Sequence, residues 1–595
     1  MPARALVIAF LIAALPAAAG APPIWPLDLG TRYLTSNFME RRPGRYHAGL
    51  DLKTDSRTGF AVRAVEDGHV TRVRAEAGAY GRAVYVQGVS GRTTVYAHLE
   101  RFSDRIEALV EADRAESGVY RVRLDLPAGR LPVEAGEVLG LSGESGTSGP
   151  HLHFEVRDAA QRPLNPLDFG FAVADTFAPV IGAVTAHLAA APLDGSPPAT
   201  AVRDEAGLRG PLPALTIRGP VAFSARITDQ ADHRGHVLEP WLIEVRLDGA
   251  LVYRCRNESF AFGANNQLRL EWCDLEDADG RTILREHWLF RRDGVTVPGR
   301  EGGVWYLGDK GRGLPPGEHL LEIAAADRAG GRTAVTVPLT VLPADEGAGQ
   351  EGWEAIAAQV DDGSGGWLTP FLSGPWAPPA TERVLEPGRD PVLARTVLRT
   401  LPWTPDAVAR PAPELEGPFW GAFCLAADWP LDGDLRTEAA GAPSGDDLWV
   451  FRWDRERWKC VGPLNAADGG APWFLLADRG LHAVFRDRSA PWIDPAALTV
   501  GPRAASTVPG VTLPRWTTVP VEVVDRGTGV ADASLRATLD GSPLIVEPDL
   551  IRDRVLVTVP DATAPGRYEL RLEAADEAGN RAVRTLGVEV VAGGR

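Results

Sequence analysis

The chain has few sulfur residues and too few positive charges to balance its negative ones. Its 595 residues include four cysteines and two methionines, and 62 Lys and Arg face 79 Asp and Glu, for a formal charge of −17. That balance argues against nucleic acid as a partner and against bulk attraction to any anionic polymer. No CxxC spacing occurs among Cys255, Cys273, Cys424 and Cys460, which removes a four-thiolate zinc site. Past residue 15 no apolar run reaches the roughly 18 residues that a membrane span needs, so no integral membrane segment is expected after the leader. HExxH is absent, and the Gly-rich run GESGTSG at 143–149 lacks the GxxxxGK[ST] pattern of a phosphate cradle. It reads instead as a cleft loop, in which no motif marks Ser145 or Ser148 as a nucleophile. Helical periodicity is scarce from residue 172 to the end, leaving short alternating runs and Gly/Pro turns.

The N-terminus, MPARALVIAFLIAALPAAAGAPP, sets one Arg before an apolar run from Ala5 to Leu15, then Pro16 and small residues. This is the pattern of a signal peptide over 1–19 with cleavage after Ala19, so the protein is expected to work outside the cytoplasm, in the periplasm or beyond. In an oxidising compartment the cysteines, which fall as two local pairs, are expected as disulfides 255–273 and 424–460.

The chemistry sits between residues 47 and 153. Residues 149–156 read GPHLHFEV, and in a strand His151 and His153 point to the same side. YHAGLDL places Asp51 four residues after His47, and VYAHL carries His98. A hydrolytic zinc takes three imidazole or carboxylate ligands and keeps one position for water, whose pKa it lowers to about 7. His47, Asp51 and one histidine of the HxH supply that count, and the other HxH histidine and His98 are left for acid/base work. Spacing alone does not say which of His151 and His153 holds the metal. His69, in EDGHV, reads as a surface residue in a turn, and Glu155 or Asn165 as a group that orients the imidazoles.

From about Thr35 to Phe169 the sequence resembles the lysostaphin-type (LytM-type) zinc metallopeptidases that cut peptidoglycan cross-links. The resemblance is carried by SNFMERRPGRYHAGLDL, AVEDGHVTRV, AYGRAVYVQ, TTVYAHL, VEAGEVLGLSGESGTSGPHLHFEVRD and PLNPLDF. It implies one Zn2+ on His47, Asp51 and His153, with His98 and His151 in the catalytic positions, His151 as general base. It also implies an antiparallel β catalytic domain and peptidoglycan as substrate. Some members of the family lack ligands and act only as regulators or wall-binding proteins. None of the five positions is substituted here, which favours the enzyme over that silent alternative.

An extra stretch follows His98, at about 103–132. Asp104 and Glu107 suit the start of a short helix, and Tyr120 to Leu126 alternates as a strand; its place after the His98 motif suggests either a lid over the site or a plain hairpin. The fold class expected for the whole chain is all-β: a LytM-type domain over 20–175, an Ig-like β-sandwich over 176–345, a β-rich module over 346–487 and a C-terminal Ig-like sandwich over 488–595. Echoes support the repeat. DTFAPVI at 175–181 matches DRSAPWI at 487–493, LDG at 247–249 matches 539–541, and PGEHLLEIAAADRAGG matches PGRYELRLEAADEAGN. The first copy holds about 43 more residues between the latter marks, an excursion expected to be stapled by Cys255 and Cys273. Trp449, Trp453 and Trp458 suit core packing better than a sugar platform. Asp residues at the repeated turns are too few per turn to argue for calcium from sequence.

Overall fold

In the computed structural model the described residues are 23–591, apart from 43, 189–198, 205, 219–220, 234, 277–281, 292–294, 303–313, 344–380, 385–396, 401–414, 425–434, 440–441, 443–444, 446, 455–456, 466–471, 477–479, 495–510, 515–517 and 561–562. The proposed leader and the linker after residue 343 lie outside them. The chain is mostly strands, as its composition of short alternating runs suggests, and Asp104–Ser117 is the one helix of more than two turns among the described residues.

The N-terminal part is built on a nine-stranded antiparallel sheet. Its spatial order is Leu34–Ser36, Leu50–Lys53, His151–Arg157, Thr93–Ala97, Arg82–Gly88, Gly68–Ala75 and Val122–Asp125, with Pro132–Val133 and Pro163–Leu164 paired alongside. A three-stranded sheet of Ala61–Arg63, Val138–Ser142 and Leu99–Phe102 completes it. The strand HLHFEVR shows how sequence sets this layer. Leu152, Phe154 and Val156 are at most 1% exposed and fill the core, so alternation throws His151, His153, Glu155 and Arg157 into one row on the opposite face. Register supplies the rest: His153 lies directly across from Asp51 on one side and from Ala97 on the other. Directly opposed Cβ atoms stand about 5 Å apart, so the ladder itself delivers Asp51 to His153 and leaves His98 one residue beyond the paired Ala97.

The insertion lies away from this centre. Its strand Val122–Asp125 pairs with Gly68–Ala75 at the sheet edge, four strand steps from His151–Arg157. At about 4.8 Å per step that is roughly 19 Å, so this strand of the insertion forms a bracket at the far edge of the sheet. Ile106 and Val110 of the helix are buried in the core, and Glu107 accepts from the amide of Phe102 at its start. The bracket holds the C-terminal module. The Tyr120 hydroxyl donates to Glu547 (2.8 Å), which also pairs with Arg82. Arg552 pairs with Glu144 (2.7 Å) on the Gly-rich loop.

The two echoed regions share a strand plan. In the first, Leu242–Leu247, Gly317–Ala326 and Arg332–Leu342 are neighbours, and Leu215–Arg218 lies parallel to the last; in the second, Arg536–Leu539, Gly566–Ala575, Arg581–Val591 and Val511–Pro514 repeat the arrangement. Both LDG motifs are two-residue turns with positive φ at Asp and Gly, 51° and 81° at Asp248 and Gly249 and 47° and 79° at Asp540 and Gly541. This is the geometry that suits a tight hairpin. Asp248 and Asp540 each accept an amide of the neighbouring strand, from Leu320 and Glu569. Trp458 is buried against Phe485, so it is a packing residue.

The disulfide expectation fails. Cys255 and Cys460 are free thiols, and burial pushes them up to about 11 and about 12. Cys255 lies on Ala250–Arg256 of a seven-stranded sheet and Cys273 on Trp272–Glu276 of a separate five-stranded one. Cys424 and Cys460 share a sheet ordered Leu415–Cys424, Gly480–Asp487, Leu448–Asp454, Arg457–Pro463. Three strand steps separate them by about 14 Å, twice the reach of a disulfide. What holds the excursion after Cys255 is the N-terminal domain. Phe260, fully buried, sits between Phe38 and Tyr46 at ring distances of 5.8 and 5.2 Å. The Tyr46 hydroxyl donates to Glu271 (2.7 Å), itself paired with Arg300. Phe260→Ala is expected to lower unfolding free energy by about 3–5 kcal/mol in denaturant titration, whereas reducing agent leaves the midpoint unchanged.

Candidate metal centre

Three of the five expected residues meet at one point. The Nε2 of His47, Oδ1 of Asp51 and Nδ1 of His153 form a triangle with edges of 3.0, 2.8 and 2.9 Å. Partners on the far sides fix which nitrogens carry protons. His47 Nδ1 lies 2.7 Å from the carbonyl of Asn37, which only accepts, so Nδ1–H donates there and Nε2 presents its lone pair. His153 Nε2 faces Glu155 Oε1 at 2.8 Å, so Nε2–H donates there and Nδ1 turns inward. The side chains are 4–6% exposed. Three donor atoms this close and this far from water form a group that could hold a metal ion.

Titration follows from the same contacts. Burial alone would raise Asp51, but His47, His151 and His153 around it hold its carboxyl well below the usual range. Burial opposes charge on His153, and its hydrogen bonds to Asp51 and Glu155 outweigh that and push it up to about 9. The proton on Nδ1 thus lies on the side of Asp51 Oδ1 and His47 Nε2, and a metal taken up there would displace it. The donor set fits zinc: two imidazoles and one carboxylate. Donors at about 2.0–2.2 Å from a tetrahedral ion stand about 3.4 Å apart, and small side-chain rotations open the observed triangle to that size.

Glu155, which the sequence reading offered as an orienting group, does face His153, and Arg42, Tyr80 and Arg157, which it did not single out, join it around the triangle. Arg42 donates to Asp51 Oδ2 (2.7 Å) and to the hydroxyl of Ser36, which leaves Oδ1 for the centre. Glu155 is fully buried; burial opposes its charge, but Arg157 and His153 overcome that and bring it down to about 2. Tyr80 donates to Glu155 Oε1 (2.6 Å), and Arg157 Nε donates to its Oε2 (2.6 Å). Asn165 is not part of this shell: it caps Pro166–Phe169 and donates to Asn257. His69 is half-buried within the strand Gly68–Ala75 rather than in a turn, and the triangle does not include it.

His98 and His151 flank the triangle. Their rings are 4.7 Å apart, and His98 is 5.7 Å from His153. His98 has φ 62°, a left-handed conformation that few non-glycine residues adopt. Its Nδ1–H donates to the carbonyl of Ser145 (2.8 Å), and that of His151 to the carbonyl of Gly149 (2.9 Å). Both rings therefore present a basic Nε2, and that of His151 lies 3.5 Å from Asp51 Oδ1. Burial, with the charges of His151 and His153, lowers His98 to about 3, so it is neutral at pH 7. His151 is the least buried of the five, its side chain 13% exposed, so solvent reaches the group on its side.

Residues 45–115 match Peptidase family M23. The N-terminal part of this chain is an M23 domain. The chain is 36% identical over 124 residues to the DD-carboxypeptidase/endopeptidase Mpg of Neisseria meningitidis serogroup B, a match covering 21% of this chain and 22% of that protein. It is 34% identical over 124 residues to an uncharacterized metalloprotease of Haemophilus influenzae, covering 21% of each. The match thus spans about a fifth of the length of these curated relatives. A zinc-containing peptidase from Vibrio cholerae is 28% identical over 24% of this chain and 37% of its own, with a TM-score of 0.18.

Proposed function

We propose that the protein is an exported zinc-dependent endopeptidase that hydrolyses the peptide cross-links of peptidoglycan. The observation that carries this reading is the triangle of inward-facing ring nitrogens and carboxylate oxygen of His47, Asp51 and His153, with two further imidazoles beside it. A zinc ion held there supplies Lewis acidity toward the scissile carbonyl and acidifies a water. The protein's own part is positional. Arg42 keeps Asp51 to one donor oxygen, and Glu155, held by Tyr80 and Arg157, fixes the His153 ring. The Nε2 of His151, on the open side, takes the proton of the attacking water and returns it to the leaving amine. The Nε2 of neutral His98 accepts from the same water and aims it. Peptidoglycan as substrate is supported by the M23 match, by the similarity to a DD-carboxypeptidase/endopeptidase and by the leader pattern at the N-terminus.

The test is incubation of purified peptidoglycan with the full zinc-loaded chain, followed by muropeptide analysis. Cross-linked dimers should fall and monomers rise, and a chelator should stop this. No change in the muropeptide profile under any metal loading would sink the endopeptidase reading and favour the silent wall-binding alternative.

A further inference from the structure

We infer that Asp175, Asp229 and Asp327 form a second metal site, separate from the histidine centre, which takes a hard divalent cation of the Ca2+ class. One carboxylate oxygen from each lies within 4.8 Å of the others. Two oxygens bound to one Ca2+ at about 2.3–2.6 Å are at most about 5 Å apart, so a single ion reaches all three.

Two of the three carboxylates are out of water: Asp229 and Asp327 are each 4% exposed. Each Asp spends Oδ1 on a local amide. Phe177 donates to Asp175, Gln230 to Asp229, and Gly330 and Gly331 to Asp327. The other oxygen of Asp327, Oδ2, is buried and accepts from no donor among the described residues. A buried carboxylate oxygen without a partner is costly, and this one belongs to a cluster of like charges. Among the described residues no Arg or Lys pairs with any of the three. Burial pushes Asp229 up to about 8 and Asp175 up to about 6, and neighbouring carboxylates add to both shifts. An all-oxygen donor set selects a hard ion over zinc. Burial favours Ca2+ over Mg2+, which keeps several of its waters.

The echoed module supplies an internal contrast. Asp487, Asp525 and Asp576 cluster in the same way, one entering the module and the others just after Thr518–Val524 and Gly566–Ala575. There two of the three carboxylates are answered from within. Asp487 Oδ2 accepts from the amide and hydroxyl of Thr528, and Asp576 Oδ2 from the side-chain amide of Asn580. Asp327 is followed by Gly330 and Gly331, which bring no such donor. The first cluster therefore has a need that the second meets with side chains. Its location gives the ion a task. Asp175 ends the M23 segment, while Asp229 and Asp327 follow Val221–Thr228 and Gly317–Ala326, so the ion would pin the domain junction.

Calorimetric titration of the zinc-saturated full chain with CaCl2 tests this directly. The intact protein should bind Ca2+, and Asp327→Asn and Asp229→Asn should each remove one equivalent or weaken it at least 100-fold. Ca2+ should raise the unfolding midpoint of the intact chain and leave it unmoved in both variants. Without Ca2+ the variants should melt no lower than the parent, because each replaces a carboxyl whose ionised form the buried cluster disfavours with a neutral amide of the same shape; this also shows that they fold. His153→Ala should keep the Ca2+ response. Absence of Ca2+ binding at millimolar concentration, or unchanged binding in both Asn variants, overturns the proposal.

Discussion

His153→Ala is expected to lose both the zinc and the hydrolysis. The substitution removes the Nδ1 corner of the triangle and one of the two donors to Glu155 Oε1, which keeps that of Tyr80. Two ligands, His47 and Asp51, then remain where zinc needs three. A metal that stabilises the transition state by several kcal/mol corresponds to a rate factor of about 1,000 or more. Muropeptide release should therefore fall at least that far, and metal analysis should give under a tenth of an equivalent of zinc per chain. The fold should stay, because the sheet pairing around residue 153 is made by the backbone and the core row is Leu152, Phe154 and Val156. Circular dichroism and an unchanged Ca2+ response would show that loss of activity is not loss of structure. Residual hydrolysis within tenfold of the parent would mean that His153 is not a metal ligand.

The sequence reading reached the centre because the ladder period is two. Given a strand, HLHFEVR must place His151 and His153 on one face, and HxxxD lies close enough in sequence to act as a unit. The same logic found the paired hairpins, since Asp-Gly turns are decided by local φ. What stayed hidden depends on contacts between distant positions. Tyr80 reaches Glu155 across 75 residues and Arg82 reaches Glu547 across 465, and no local pattern encodes either. The cysteines show the opposite error. Their spacing suggested loops to be closed, but spacing says nothing of sheet order, and strands or a whole sheet intervene. The excursion that a disulfide was expected to hold is held by Phe260 in a neighbouring domain's core. The Asp clusters were underread for the same reason: each turn offers one carboxylate, and three meet only when the module closes.

The second large effect separates holding the metal from using it. His98→Asn and His151→Ala should each retain one equivalent of zinc, since neither ring is part of the triangle, while turnover falls about 100- to 10,000-fold, the usual worth of a general acid–base group. Asparagine is the choice at 98 because it accepts the left-handed backbone that His98 adopts at φ 62°, so the imidazole is removed without straining the turn that leads to Leu99–Phe102. The two losses should not add. Both rings act on one water, and once either is gone the other has little left to orient, so the double variant should lie within a few-fold of the weaker single one. Measuring kcat with zinc content for the three variants decides the matter. If His98→Asn loses zinc along with activity, His98 is a ligand and the split between binding and catalytic histidines is wrong. If His151→Ala turns over at the parental rate, the proton must leave by His98 or by solvent, and the less buried ring of the HxH pair only lines the cleft.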